Sequence, residues 1–307
     1  MAANRTAVGR LPIVAVIGAV IPISLISAAG WWFTAPLESP APAAARPDES
    51  SADATTAGPR PAPLAEWPAG RLDGREAKRY LLAFMEQAVR RLDRVDGYTA
   101  VLTRQERIGG ELGPEQRLRI KIQHEPFAVF LRFEAPNAGK EVLFHEGRFE
   151  DHLLAHNGDW TRRLIPRFKL DPHGPIALAD NRHPITEAGL AHLSRKLLQY
   201  RKLDLDDPHA ETILDRSTDE DGRLWYRSVH THSTYTDERP FAYVEIRYCP
   251  DLLLPLQIES YDWPEPCCDL EDVELAERYH YSDIDLDVSF SALDFDPTNP
   301  EYGFQRY

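Results

Sequence analysis

The chain has 307 residues, 43% of them hydrophobic, and 49 Asp and Glu against 35 Lys and Arg give it a formal charge of -14. Residues 1–66 hold four Arg and five acids, so almost all the negative charge belongs to the part downstream, and a surface so acidic repels phosphate backbones and argues against nucleic-acid binding. No G-x-S-x-G elbow, phosphate-binding loop, G-x-G-x-x-G or H-E-x-x-H occurs in the chain, so no reaction and no cofactor is named by a motif.

Leu11 to Ala35 is uncharged, follows Arg5 and Arg10, and ends in Trp31, Trp32 and Phe33. That run is long enough to span a bilayer, with a basic cytoplasmic flank and an aromatic belt at the outer face. A cleavable signal peptide cut before Gly30 is the alternative, with Ser27 and Ala29 as the small residues. The run exceeds the usual ~7–15 residues of a signal core, which favours an anchor. The expectation is a single-pass inner-membrane protein with its C-terminal domain in the periplasm. Residues 36–68 are rich in Pro, Ala, Ser and Thr and read as a disordered tether. This divides the chain into an anchor at 1–35, a linker at 36–68 and one folded domain at 69–307.

The domain opens at Asp73, where Asp73 and Glu76 have the spacing of a capping box. Ala77, Leu81, Phe84, Ala88, Leu92 and Val95 then form one apolar helical stripe, ended by Gly97. Beyond it the period changes to two. Strands are expected at 98–107, 117–123, 127–133, 140–145 and 148–155, joined by hairpin-length turns, with 160–165 closing the batch. Leu118, Ile120 and Ile122 alternate with Arg117, Arg119 and Lys121, so one face of that strand meets an apolar interior and the other meets water. Phe127, Val129, Leu131 and Phe133 continue the apolar face.

A Pro- and Gly-punctuated loop then leads into a second helix. Thr186 is placed to cap it, Ile185 to staple onto Leu190, and Leu190, Leu193 and Leu197 form its stripe. Five further strands follow at 211–218, 223–233, 241–248, 256–261 and 273–281. Roughly eleven strands with two main helices predict an α+β, mainly antiparallel domain, a curved sheet packed around the helices.

Four separated runs carry a family resemblance. They are Arg132-x-x-x-Pro136-x-x-Gly139-Lys-Glu141, Leu170-Asp171-Pro172-x-Gly174-Pro, Arg182-His183-Pro184-Ile-x-x-x-Gly189-Leu, and Asp294-Phe295-Asp296-Pro297-x-Asn299-Pro300-x-Tyr302-Gly303-Phe304. Together they resemble family 1571 of the domains of unknown function across most of 72–304. Such domains look like distant relatives of the LolA, LolB and LppX type of lipoprotein carriers and receptors. The resemblance implies a half-barrel of antiparallel strands lidded by helices, with a hydrophobic cavity for acyl chains.

With the doubled apolar faces, it points to Ile120, Ile122, Leu131, Phe133, Leu190, Leu193 and Leu197 as cavity-lining residues and to Asp171, Arg182 and His183 as its rim. The expected partner is a lipid or acylated protein, and the expected state a monomer. Two other readings stay open: an envelope enzyme using the 171–184 loop, and a scaffold whose acidic face docks a basic partner.

Other candidates are weaker. His230 and His232 lie two apart on one strand, a spacing that chelates zinc, but no third ligand is visible and a solvent-facing pair of polar residues accounts for them. Asp283, Asp285 and Asp287 begin like a calcium loop, yet Val288 stands where the turn Gly belongs. No metal site is predicted. The odd set Cys249, Cys267 and Cys268 allows Cys249 to bridge to one of the pair in an oxidising compartment.

Overall fold

The computed structural model describes residues 66–158, 167–264 and 273–304. Leu72–Asp73 forms β1 and Gly74–Leu92 forms α1. The next strands are β2 (Gly97–Ile108), β3 (Glu111–Leu112), β4 (Gln116–Gln123), β5 (Ala128–Ala135), β6 (Glu141–His145), β7 (Leu153–His156) and β8 (Phe168–Leu170). A four-residue helix α2 (Pro175–Leu178), a 3-10 turn at Ile185–Glu187 and α3 (Leu190–Asp204) follow. The chain then makes β9 (Ala210–Thr218), β10 (Leu224–His232), β11 (Tyr243–Tyr248), β12 (Pro255–Tyr261) and β13 (Leu275–Asp285).

All thirteen strands among the described residues join one antiparallel, open, curved sheet in the order β1-β9-β10-β11-β12-β13-β2-β4-β5-β6-β7-β8, with β3 paired to β2. Two meanders meet where β13 pairs with β2. The expected α+β class is therefore present; among the described residues β1, β3 and β8 are three strands beyond those foreseen.

This topology explains where the helices lie. Strand β8 is at one edge and β9 is next to the other, ten strand steps away, or roughly 48 Å at the usual spacing of about 4.8 Å. The segment between them must recross the sheet, and α3 covers about 22 Å of that distance. It does so on the inner face, beside α1. The α1 stripe of Ala77, Leu81, Phe84, Ala88 and Leu92 is buried. Much of it packs with Leu214, Val244, Ile246 and Tyr248 from β9–β11.

The alternation on β4 is as expected: Leu118, Ile120 and Ile122 are buried inward, while Arg117 and Arg119 pair with Glu134 on the outside. The outer face of β5–β7 is also covered. The C-terminal segment lays Phe295, Tyr302 and Phe304 against Ala128, Phe130, Leu143 and Leu154.

Several local expectations are corrected. Asp73 is the N-cap residue of α1 but makes no side-chain cap bond; its backbone pairs with Ile213 of β9. The strand expected from Arg148 begins only at Leu153, since Phe149, Glu150 and Asp151 turn with φ of 56°, 58° and 54°. Helix α3 starts at Leu190, not at a Thr186 cap, because Gly189 adopts φ 100° and Ile185–Glu187 is a separate turn. The strand expected at 160–165, the pairing partners Cys267 and Cys268, and the anchor at 11–35 lie outside the described residues. Among the described residues no helix is long and apolar enough to cross a membrane.

Candidate ligand-binding face and its polar rim

The inner face of β2 and β4–β8 is the apolar half of the domain. Its buried residues include Ile120, Ile122 and Phe133, joined by Leu190 from α3, with Leu131 and Leu193 half-buried against them. Leu197 lies one turn farther along α3, in the second cluster with α1. Six of the seven predicted lining residues are thus brought into one cluster, and Leu193 touches both clusters.

The cover over this face is made of short pieces. Phe168, Leu170, Ala177, Ile185 and Ala188 from the β8-to-α3 segment are only partly buried against the cluster, as are Leu102, Phe127 and Leu131 beneath or beside it. Ile176 on α2 is 72% exposed. Where α3 begins, the fit is close. Gly189 has φ 100°, and a Cβ there would stand 2.6 Å from Ile122 Cδ1 and 2.9 Å from the Tyr98 hydroxyl. The same buried hydroxyl accepts the Leu190 N–H at 2.7 Å. Tyr98 therefore supplies the helix-start acceptor that a side-chain cap usually provides.

The three predicted rim residues separate. Asp171 is exposed and its Oδ1 accepts the His173 N–H at 2.9 Å, closing a local turn. That turn borders an open cleft of about 610 Å³ whose other wall includes Glu146, Asp151 and His152. Arg182 and His183 belong to a different cluster, on β2 and β13. The Arg182 backbone N–H donates to Glu106 Oε2 at 3.1 Å, and its guanidinium donates to the Arg107 carbonyl at 3.0 Å. His183 Nε2 meets Glu277 Oε2 at 2.8 Å. Arg104 reaches from β2 to Asn181 Oδ1 at 2.7 Å, and the Tyr279 hydroxyl donates to Glu106 Oε1 at 2.6 Å.

Electrostatics follow from this packing. Burial by itself raises the Glu277 carboxyl, but the His183 hydrogen bond and the His183 and Arg182 charges outweigh it and hold the group below its ordinary value. Burial, reinforced by Glu277 and Glu106, pushes the Tyr279 phenol well above its ordinary value, so it keeps its proton and donates. Asp262, 3.5 Å from Arg182, is raised, chiefly by burial. Each of these charged groups is committed to a protein partner. The cluster fastens residues 181–183 to the sheet, and hydrogen bonds to charged groups of this sort contribute about 1.5–3 kcal/mol each.

Glu106, Glu277 and Tyr279 were not foreseen from the sequence. Their signal is positional: on β2 the inward sites run Tyr98, Ala100, Leu102 and then Arg104, Glu106, so polar residues interrupt an apolar face. The same reasoning corrects His230 and His232. Both are buried on the inner face, 0% and 3% exposed. His230 contacts the Ser228 and Thr212 hydroxyls, and His232 contacts Asp204. Among the described residues no group of three or more His, Cys, Asp or Glu could hold a metal ion.

Residues 95–304 match the protein family of unknown function DUF1571. The chain belongs to the DUF1571 family. Its separated motifs now have contacts. Arg132 pairs with Glu141 at 2.7 Å, Gly139 turns with φ 83° between β5 and β6, and Arg182, His183 and Gly189 fasten the cover. The terminal motif is self-bonded, with Asp296 accepting from Thr298 and the Tyr302 hydroxyl donating to the Asp294 carbonyl.

No curated protein matches the chain. Similar solved structures include a putative outer membrane lipoprotein-sorting protein domain from Vibrio parahaemolyticus, 12% identical with TM-score 0.33, covering 70% of this chain and 95% of that one. A LolA superfamily protein from Nitrosomonas europaea is 11% identical with TM-score 0.29, covering 70% and 96%. The lipoprotein LppX of Mycobacterium tuberculosis is 12% identical with TM-score 0.38, covering 69% and 99%.

Proposed function

We propose that this protein binds a hydrophobic ligand, the acyl chain of a lipid or of an acylated protein, between the inner face of the sheet and the segment Phe168–Gly189. One observation carries the reading. A broad apolar face is covered by a loop, a single-turn helix and a 3-10 turn, and many of the side chains meeting there stay partly exposed. Half-buried apolar side chains grouped under a segmented cover suit a surface that opens to an apolar guest.

Ile120, Ile122, Leu131, Phe133, Leu190 and Leu193 line the ligand's space, with Leu197 at its far end. Arg182 and His183 hold the cover, and Asp171 stands at its outer edge. The prior commitment of the rim's charged groups to one another supports a binding protein over an enzyme. In this reading residues 69–307 form a monomeric periplasmic domain tethered to the inner membrane by residues 11–35 through the linker at 36–68, serving envelope lipid or lipoprotein transport.

The test is lipid extraction and mass spectrometry of the gently purified full chain. Co-purifying acyl lipid is expected, and Leu131→Glu, at a half-buried site, is expected to lose it while remaining folded. A lipid-free wild type that also fails to take up a fluorescent fatty acid would sink the proposal.

A further inference from the structure

The apolar inner face of β2 and β4–β6 stops at a polar row. On β2 the inward residue after Leu102 is Arg104, opposite Gln116 of β4, and beside the start of β6 the inward residue before Val142 is Lys140. Strand register fixes that placement. Leu131 stands opposite Val142, and two residues on the Phe133 N–H donates to the Lys140 carbonyl at 2.9 Å. Side chains two apart share a face, so Lys140 joins Leu131, Phe133 and Val142 on the inside.

Arg104 is committed to the protein. Its Nε donates to Gln116 Oε1 at 2.8 Å, its Nη2 to Asn181 Oδ1 at 2.7 Å, and its Nη1 lies 3.5 Å from Glu106 Oε1. Lys140, which is half-buried, differs. Among the described residues its ammonium makes no hydrogen bond and no ion pair, and its close contact is the Phe133 ring, with Nζ 5.0 Å from the centroid.

A lysine at the border of an apolar patch ordinarily carries its charged end out to water. Here the ammonium is folded back over a ring that is only 4% exposed. Burial pulls its pKa below the ordinary value; the charge of Asp180, on the cover, opposes that shift and the charge of Arg104 adds to it. A partly desolvated cation without a counter-ion is costly, and an arriving anion offsets that cost. Phe133 and Leu131 lead from this ammonium along the face towards Ile122 and Leu190, the space assigned above to an acyl chain.

We propose that Lys140 recognises an anionic end group, carboxylate or phosphate, so that the ligand of this face is a single-chain amphiphile with one negatively charged end. The charged end lies at Lys140 and the tail runs towards Leu190. This rests on the acyl-binding reading and adds to it the ligand's end group and its direction.

Equilibrium dialysis of the full chain at neutral pH, with lauric acid, methyl laurate and lauroyl lysophosphatidate each below its micellar concentration, tests it. The wild type is expected to bind at least one of the two anions about tenfold more tightly than the ester, a factor equal to about 1.4 kcal/mol, and the tighter anion names the end group. Lys140→Met is expected to bind all three alike, at the wild-type affinity for the ester. In the wild type, acetylation of Lys140 followed by peptide mass spectrometry should be blocked by the preferred anion and not by the ester, a readout that does not depend on the variant folding. Equal binding of all three by the wild type, or Lys140 acetylated to the same extent with and without the anion, would overturn the proposal and leave the acyl-binding reading standing. Binding of none of the three removes both.

Discussion

His230 faces inward from β10 with the Ser228 hydroxyl 2.9 Å from Nε2 and the Thr212 hydroxyl 3.2 Å from Nδ1. Full burial holds its pKa well below the ordinary 6.5, so the folded protein keeps the ring neutral while the unfolded chain protonates it. The stabilising contribution is therefore complete above about pH 6.5 and is lost as the pH falls below it, at about 1.4 kcal/mol per pH unit for one proton. His124 and His192 are lowered in the same direction, mainly by burial. Urea unfolding followed from pH 7 to 5 should show falling stability, and His230→Gln, which can keep both hydroxyl contacts, should flatten the slope. An unchanged slope would mean that His230 does not take up a proton on unfolding.

At the scale of an element, the start of α3 is decided by a glycine and a distant tyrosine. Pro184, Ile185 and Thr186 look like a helix entry in the sequence. The 3-10 turn they form instead positions Gly189, whose φ of 100° lets the chain approach Ile122 and present the Leu190 N–H to Tyr98. Gly189→Ala should cost about 2–4 kcal/mol, combining left-handed strain with a Cβ pressed onto Ile122. Chemical denaturation reads this directly. A loss below about 1 kcal/mol would show that the cover yields readily at this point. The rim cluster teaches a related lesson: Arg182 and His183 were legible as a polar pair, but their partners Glu106 and Glu277 lie 76 and 94 residues away. Only the β13–β2 pairing brings those two glutamates opposite each other.

At the scale of the molecule, the C-terminal segment is a clamp on the outside of β5–β7. Glu141, 3% exposed, accepts from His156 at 2.8 Å and from the Gly303 backbone N–H at 2.7 Å. Tyr302 stacks on Phe130 with ring centroids 3.9 Å apart, and Phe304 meets His156 edge-on at 4.8 Å. The family motif at 294–304 is therefore read as an architectural seal, which leaves the sheet's apolar inner face to α1, α3 and the segmented cover. Phe304→Ala should destabilise the domain by about 3–5 kcal/mol, measured as a shift in the urea midpoint. If instead the midpoint stayed put, the tail would be an appendage and not part of the cooperative unit.

By itself the sequence determined the class of fold, the inward and outward faces of strands such as β4 and the apolar stripe of α1, because these follow from local periodicity. It also carried the family motifs. Only the tertiary structure decided that the two meanders join through β13 and β2, that Asp171 parts company with Arg182 and His183, and that His230 and His232 point inward. Those outcomes depend on strand order and on contacts between residues far apart in the chain, which spacing along a single strand does not encode. The cover from Leu170 to Gly189 shows both sides. Its turns were legible from Pro and Gly, but that it spans an apolar face, latched by two buried glutamates, follows from the chain's need to recross the whole sheet between β8 and β9.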